Sequence, residues 1–257
     1  MKISRPIALA IIPLLFACYP KKPEIHLNEV PSAPLVQMLE QRQQSFSGLK
    51  AIVSIETVRS GRKRAYDTVG IIIDGQRRLH MEAYGPLGQS LVTLVWNGTD
   101  MAVRLDDGRV VRPGQAGLER ILGVAIDARE LCAVLSGNIP ALAPSTTTRA
   151  FREPDGSFLT ETTDRDMRRL VHVLLPKAGS GQGIRIIDSE LYRSDKLIYR
   201  VRYEEMEQIS GYLIPKSLHM ENPEKKISME VVYNETDVNV PLKEDSFRLP
   251  EEGAVEP

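Results

Sequence analysis

The sequence predicts a mainly β protein: a curled antiparallel half-barrel of about eleven strands, covered by a few helices. From residue 49 onward, short runs alternate apolar and polar residues and are rich in β-branched side chains. Glycine-containing turns join these runs at close spacing, which favours hairpins over βαβ crossovers. Only a few segments have a helical period instead.

The first half of the chain predicts one helix followed by strands. Apolar residues after Pro34 fall mostly on one helical face, which predicts a helix over residues 34–46. Strand patterns then occur at residues 49–56, 68–74, 77–84, 90–96, 101–105 and 109–112. Turn residues separate them, such as Ser60-Gly61 and Asn97-Gly98.

The second half begins with helices and returns to strands. Asp127, with Glu130 three residues later, is an N-cap signature, and Gly137 ends the helix that it predicts over residues 127–137. The apolar spacing of Leu118, Ile121 and Leu122 indicates a shorter helix before it. Strand patterns resume at residues 157–163, 170–175, 184–192, 196–203, 212–218 and 227–233.

A sheet of this width must curl, because each strand pair adds roughly 20° of twist. Its concave side then needs something to fill or cap it, and the amphipathic helices are available for that. Two arrangements stay open at this point: a plugged half-barrel with a dry core, or helices that form a lid over an apolar cavity.

The amino terminus predicts export. Lys2 and Arg5 precede an apolar run, residues 7–17, that is too short to span a bilayer. The Leu-Phe-Ala-Cys ending resembles the bacterial lipobox. The resemblance implies that the Cys18 thiol is acylated, that a signal peptide, residues 1–17, is then removed, and that the new amino terminus is acylated too. The alternative is an incidental cysteine near an ordinary cleavage site.

The rest of the chain predicts one domain, residues 34–257, behind a proline-rich tether, residues 18–33. Without residues 1–17, 240 residues remain, with 31 basic and 34 acidic side chains and a formal charge of −3. That balance does not indicate a nucleic-acid partner. With Cys18 bound to lipid, Cys132 has no disulfide partner and is expected to be a small buried residue.

No motif predicts catalysis, a cofactor or a metal. The four histidines are far apart, and the sequence has neither a His-Glu-x-x-His nor a Gly-x-Ser-x-Gly motif. His80 and His172 lie inside strand patterns and are expected to be structural. The glycine-rich residues 179–183 lie between two strand patterns, which predicts a hairpin loop rather than a phosphate loop. We therefore expect no enzyme activity, with an uncharacterised hydrolase as the weakest alternative.

Four segments of the chain occur in a characteristic order and spacing: Tyr-Gly-Pro-Leu-Gly-Gln-Ser at 84–90, Asp-Gly-Arg at 107–109, Glu-Arg-Ile-Leu-Gly-Val at 119–124 and a helix followed by Gly and Pro at 130–140. Together they resemble LolB-type outer-membrane lipoprotein receptors, and the resemblance covers about residues 34–142. The ending, residues 237–253, is more similar to that of the LolA-type carriers. The mixture is typical of a diverged LolB-like member of the LolA/LolB superfamily.

The resemblance implies a function. It implies a monomeric lipoprotein, anchored in the outer membrane through Cys18 and facing the periplasm, that accepts acylated lipoproteins from a LolA-type carrier and inserts them into that membrane. Tyr19 after the cysteine, rather than Asp, implies the outer-membrane destination. The acyl chains of the cargo would occupy the apolar cavity. The alternative is an envelope lipoprotein that binds a protein or glycolipid without transfer.

The same resemblance assigns a membrane-insertion loop to Pro86, Leu87 and Gly88, with Leu87 as the protruding residue. The residues themselves support a type I turn, because Pro86 is at its second position and Gly88 at its fourth, which puts Leu87 near the tip. An exposed leucine invites a functional reason. The alternative is that Leu87 folds back onto the sheet edge.

Overall fold

A single antiparallel sheet forms most of the molecule. The computed structural model describes residues 27–113, 118, 126–140, 146–177 and 183–251. Within these ranges, fourteen strands lie in the order β1-β8-β9-β10-β11-β12-β13-β14-β2-β3-β4-β5-β6-β7, and the sheet is not closed into a barrel. The predicted fold class, a mainly β, curled antiparallel half-barrel with helices, is confirmed.

The element bounds are as follows. The strands are β1 Asn28–Val30, β2 Gly48–Arg59, β3 Arg62–Asp74, β4 Arg78–Tyr84, β5 Ser90–Trp96, β6 Met101–Leu105, β7 Val110–Val111, β8 Thr147–Arg152, β9 Phe158–Asp164, β10 Met167–Leu174, β11 Arg185–Arg193, β12 Lys196–Ile209, β13 Tyr212–Asn222 and β14 Ile227–Val238. The helices are α1 Ala33–Gln44, α2 Ala128–Leu135 and a 3₁₀ helix, Glu244–Phe247.

The sheet has more strands than the sequence predicted and a longer β3, for a physical reason in each case. Strand β1 lies inside the predicted tether of residues 18–33, because three residues pair with β8 at the sheet edge. Strand β8 has one buried residue, Ala150, and so lacks a clear period. Residues 62–67 of β3 are mostly exposed on both faces, so that no apolar alternation marks them.

The helix predictions agree with the structure where residues are described. The helices predicted over residues 34–46 and 127–137 are present as α1 and α2. Of the shorter helix predicted around Leu118, Ile121 and Leu122, only Leu118 is among the described residues, and its side chain is fully buried.

Helix α2 shows how strongly the sheet curls. Its Cys132 Sγ lies 3.9 Å from the carbonyl oxygen of Arg78 in β4, and its Glu130 forms an ion pair with Arg169 in β10. Six strands separate β4 from β10, which would place them about 34 Å apart in a flat sheet. A helix about 10–12 Å wide reaches both, so the sheet wraps around it.

Local sequence sets both ends of α2. At its start, Asp127 Oδ1 accepts a hydrogen bond from the Glu130 backbone N–H at 2.8 Å. At its end, Gly137 has a φ of +66° and Asn138 N–H donates to the Ala133 carbonyl at 2.8 Å, a Schellman turn. A Cβ at Gly137 would lie 2.7 Å from Cδ of Pro215, so only glycine fits against β13.

Three tyrosines and one arginine hold the carboxyl end of α2, and we call this arrangement the helix clamp. The hydroxyls donate to successive carbonyls: Tyr233 to Leu135 at 2.5 Å, Tyr212 to Ser136 at 2.9 Å and Tyr203 to Asn138 at 3.2 Å. Arg42 of α1 donates to the remaining carbonyl, that of Gly137, at 2.8 Å. Carbonyls that the helix leaves unpaired are thus satisfied in the interior.

Arg42 also joins α1 to the sheet. Its guanidinium donates to the carbonyl of Leu213 at 2.7 Å and lies 4.6 Å from the centroid of the Tyr212 ring. The residue is only 6% exposed. It occupies the same face of α1 as Leu35 and Leu39, the apolar residues that this helix buries.

We predict that Arg42→Met destabilises the fold. Methionine fills much of the volume but leaves the carbonyls of Gly137 and Leu213 buried without a donor, at about 1–3 kcal/mol each. The free energy of unfolding in urea should therefore fall by about 3 kcal/mol. Arg202→Met, at a side chain that is 55% exposed, is the control and should change it by less than about 0.5 kcal/mol. Equal losses in the two variants would contradict the clamp.

Candidate functional site

The predicted lipidation site, Cys18, lies outside the described residues, as does the signal peptide of residues 1–17. In the part of the chain that is described, no helix is both long enough and apolar enough to cross a membrane. Cys132 is a free, buried cysteine, as expected, and burial raises the pKa of its thiol. The described site is therefore built from the sheet and its loops.

The loop between β4 and β5 is an ordered turn with an exposed leucine. Gly88 N–H donates to the Gly85 carbonyl at 2.9 Å, the hydrogen bond of a β-turn with Pro86 and Leu87 at its centre. Gly88 has a φ of +79°, which suits glycine. The side chain of Gln89 accepts a hydrogen bond from Leu87 N–H at 3.1 Å.

Leu87 is 93% exposed and does not fold back onto the sheet edge. The other large hydrophobic residues that are exposed in the described chain have values from 38% to 46% and lie on strands or next to them. A leucine held at a turn tip loses the hydrophobic stabilisation that burial provides, about 1.5–3 kcal/mol. The loop therefore presents apolar surface to whatever lies beyond this end of the sheet.

The β2–β3 hairpin extends past the same end. In an antiparallel sheet alternate turns share one end, and the turns after β2 and β4 are such a pair. Thr68 pairs with Tyr84, the last residue of β4, so residues 62–67 of β3 continue for about 20 Å beyond it. The hairpin and the Leu87 loop thus flank the inner face of the sheet at this end.

An apolar pocket of about 90 Å³ lies between them on the inner face of β2–β5. Ala83 and Val92 are paired two positions from the loop and form its floor on that side. Arg64 and Tyr66 of the hairpin overhang form the outer part. The remaining lining residues are Ile55, Thr57, Val69, Met81 and Leu94.

The pocket is small for a ligand site. Sites for small molecules have volumes of roughly 300–1,000 Å³, so this pocket would hold only part of a long acyl chain as it stands. The sequence left open whether the interior is dry or hollow. The described structure combines features of both, since α2 packs inside the sheet and a small apolar hollow lies on β2–β5.

The two halves of the inner face differ in polarity. The tyrosines of the helix clamp lie on β12–β14, and Tyr199 of β12 and Arg169 of β10 bind Glu130 of α2. Burial raises the pKa of Tyr199, which keeps its hydroxyl protonated as a donor. By contrast, the pocket on β2–β5 is lined mainly by aliphatic side chains. Of these two regions of the described structure, the pocket on β2–β5 is the one with a mainly apolar lining.

The outer face carries a histidine–carboxylate cluster that resembles a catalytic site only in its residue types. His172 Nδ1 lies 2.7 Å from Oδ1 of Asp188, and its Nε2 lies 3.6 Å from Oε1 of Glu153. Ser157 Oγ is 2.6 Å from carboxylate oxygens of Glu153 and Asp155, so its hydroxyl donates to acids rather than to the imidazole. A nucleophile needs a base within hydrogen-bond reach. The cluster ties β10 to β11 and to the β8–β9 turn.

We predict that His172 makes stability pH-dependent. The hydrogen bond to Asp188, with the charges of Asp188, Glu153 and Glu190, raises its pKa above the usual 6.5. Its contribution is thus fully present below about pH 6.5 and is lost as pH rises through the raised pKa. His172→Gln should therefore lower the free energy of unfolding more at about pH 5 than at about pH 9.

In an Asp188→Asn background the same substitution should lose most of this pH dependence, because the main cause of the shift is gone. Urea unfolding at both pH values measures the loss of unfolding free energy caused by His172→Gln in each background. A difference that does not change with pH would contradict the role of the pair.

Comparison with known proteins supports the fold. No protein-family model matches the chain, and no curated protein matches it. Among solved structures, a LolA superfamily protein from Nitrosomonas europaea is similar with a TM-score of 0.59, 16% identity and coverage of 85% of this chain and 98% of that one. A domain assigned to outer membrane lipoprotein sorting in Vibrio parahaemolyticus is similar with a TM-score of 0.60 and 13% identity. The match covers 82% of this chain and 95% of that one.

A DUF1329 family protein from Desulfovibrio piger is also similar, with a TM-score of 0.56, 14% identity and coverage of 85% and 97%. The chain therefore has a LolA/LolB-like fold. At these identities the likeness concerns the backbone arrangement and leaves the site residues to be judged on their own geometry.

Sequence reasoning located the loop but missed other parts of the site. It did not identify Arg42. The spacing of this residue, three positions after Leu39 and seven after Leu35, puts it on the apolar face of the predicted helix and could have indicated a buried cation. It also passed over the basic run Arg-Ser-Gly-Arg-Lys-Arg at residues 59–64, which is the β2–β3 turn. No sequence pattern marked the residues that line the pocket, because aliphatic side chains around a pocket and in a filled core have the same alternating pattern.

Proposed function

We propose that this chain is a lipid-anchored, LolB-like receptor that accepts acylated lipoproteins from a LolA-type carrier and inserts them into the outer membrane. The observation that carries the proposal is Leu87, 93% exposed on an ordered turn beside an apolar pocket at the same end of the sheet. The LolA/LolB-like fold supports it. Binding and release of the acyl chains would then use one opening.

The energetics favour transfer through a covered path. An acyl chain of about fifteen methylenes costs roughly 12 kcal/mol when fully exposed to water. A receptor that binds it more tightly than the carrier, and less tightly than a bilayer, moves it downhill without a nucleotide. The aliphatic half of the inner face supplies the apolar surface for this intermediate step.

Cargo binding requires the pocket to widen. The clamped half has little freedom, because displacing α2 exposes four buried carbonyls at once. In the other half, Met81 and the surrounding aliphatic side chains can repack at lower cost. We place the acyl chain along β2–β5 for this reason, with its entrance between the Leu87 loop and the hairpin.

The anchoring part of the proposal rests on the first residues of the sequence. Acylated Cys18 would hold the monomeric domain at the outer membrane, and Tyr19 fits that destination. Residues 19–26 precede the first described residue, so that a short segment would link the lipid to the sheet.

A second function is an envelope lipoprotein that binds a protein or glycolipid without transfer. The pocket volume of about 90 Å³ favours it, because a headgroup or a single side chain needs less room than an acyl chain. The two functions differ in whether acylated cargo passes through the protein.

We predict that Leu87→Glu blocks release of cargo while leaving its uptake intact. Protein that starts at residue 19 keeps every described strand and helix and lacks its own lipid. It should take an acylated lipoprotein from a LolA-type carrier and deliver it to liposomes. A carboxylate at the turn tip opposes entry into the bilayer surface, so delivery should fall by about tenfold or more, equivalent to about 1.4 kcal/mol.

Leu175→Glu is the matched control, since Leu175 is exposed but follows β10 at the opposite end of the sheet. It should leave delivery unchanged. Uptake of cargo with normal delivery by Leu87→Glu would overturn the role of the loop. Absence of uptake by the unaltered protein would favour the binding module.

We predict that Ala83→Leu weakens cargo uptake. The added carbons fill the floor of the pocket, so the affinity for a fluorescent fatty acid should fall by about tenfold. Ala65→Leu, at an exposed position of the β2–β3 hairpin, is the control and should leave the affinity unchanged. Urea unfolding of both variants separates pocket filling from loss of the fold. Unaltered affinity in a folded Ala83→Leu protein would place the guest elsewhere.

A further inference from the structure

Two neighbouring turns form a strongly basic surface at the end of the sheet that carries Leu87. The β2–β3 turn lies beside the β13–β14 turn, and Ser60 N–H donates to the Lys226 carbonyl at 3.1 Å. We call these turns the basic tip. Its six cations are all exposed: Arg59, Arg62, Lys63, Arg64, Lys225 and Lys226.

The charge of the basic tip is poorly compensated. Glu224 is the acidic residue of the two turns, and Lys63 pairs with Glu56 on β2 at 2.6 Å. Within the described ranges, no ion pair engages Arg59, Arg62 or Lys226. The whole chain has a formal charge of −1, so this surface is opposite in sign to the protein that carries it. Uncompensated cations of this density attract an external anion.

The position of the basic tip indicates which anion. It ends a hairpin that continues about 20 Å past β4, and the Leu87 turn lies on the same end. Exposed cations and an exposed leucine at one end of a molecule are typical of surfaces that lie in a membrane interface. An acidic protein surface would use the cations but would leave the isolated leucine without a reason for its exposure.

We propose that the basic tip binds the anionic headgroups of a phospholipid bilayer while Leu87 enters the interface beside it. Surface binding needs no cargo, so the inference goes beyond lipoprotein transfer and stands separately from it. Each Lys or Arg close to an anionic membrane strengthens binding by about fivefold, and the contributions multiply. The tip would orient the domain with its pocket entrance toward the bilayer.

Sedimentation with vesicles tests this. Protein that starts at residue 19 should bind vesicles of phosphatidylethanolamine and phosphatidylglycerol more tightly than vesicles of phosphatidylcholine alone, and added salt should reduce the difference. The variant Arg59→Gln, Arg62→Gln, Lys226→Gln should bind the anionic vesicles about a hundredfold more weakly. Leu87→Glu should weaken binding to both kinds of vesicle.

The control removes the same charge from the opposite end. Arg77, Arg129 and Lys243 are exposed there, and their triple substitution by Gln should change vesicle binding little. Equal losses in the two triple variants would mean that net charge alone matters and would overturn the proposal. So would the absence of a preference for anionic vesicles, or salt-sensitive binding to a LolA-type carrier with none to vesicles. Cargo uptake should be normal in the basic-tip variant, which keeps this test distinct from that of transfer.

Discussion

The helix clamp is the interaction on which the rest of the interior depends. The backbone carbonyls of residues 135–138, at the carboxyl end of α2, lie inside the curled sheet and need hydrogen-bond donors. A carbonyl left unpaired there costs about as much free energy as a broken hydrogen bond. Three tyrosines on adjacent strands and Arg42 on α1 supply the four donors. Tyrosine suits this task because its ring packs in the core while its hydroxyl reaches across to the helix. One side of the half-barrel is thereby closed by polar contacts with fixed geometry.

The apolar pocket lies away from the helix clamp, on the inner face of β2–β5. The Glu130–Arg169–Tyr199 network adds a further buried polar link between α2 and β10–β12, whereas β2–β5 present aliphatic side chains around a small hollow. Removing one partner of a buried ion pair costs about 3–5 kcal/mol, because the other charge is left unpaired. The helix clamp and this network therefore hold α2 firmly against β10–β14.

The open end of the sheet gathers the features that point outward. The Leu87 turn, the overhanging hairpin with its cations and the pocket entrance are brought together by strand register alone, since alternate turns of an antiparallel meander meet at one end. The opposite end holds α1 and the β3–β4 turn, where Gly75 N–H donates to the carbonyl of Ser47. Similarity to solved LolA-like folds at 13–16% identity is understandable in these terms, because period-two patterning and hairpin order specify the curled sheet without fixing most side chains.

The sequence by itself determined the fold class, helices α1 and α2, the caps of α2, and the Gly85–Gly88 turn, because each depends on neighbours a few residues apart. It did not reveal β8 or the start of β3, whose exposed faces carry no apolar period. Tertiary structure alone decided that Arg42 is buried, that tyrosines from three strands meet one helix end, and that the apolar pocket on β2–β5 has a volume of only about 90 Å³. These features depend on residues up to 171 positions apart, and their meeting follows from how far the sheet curls.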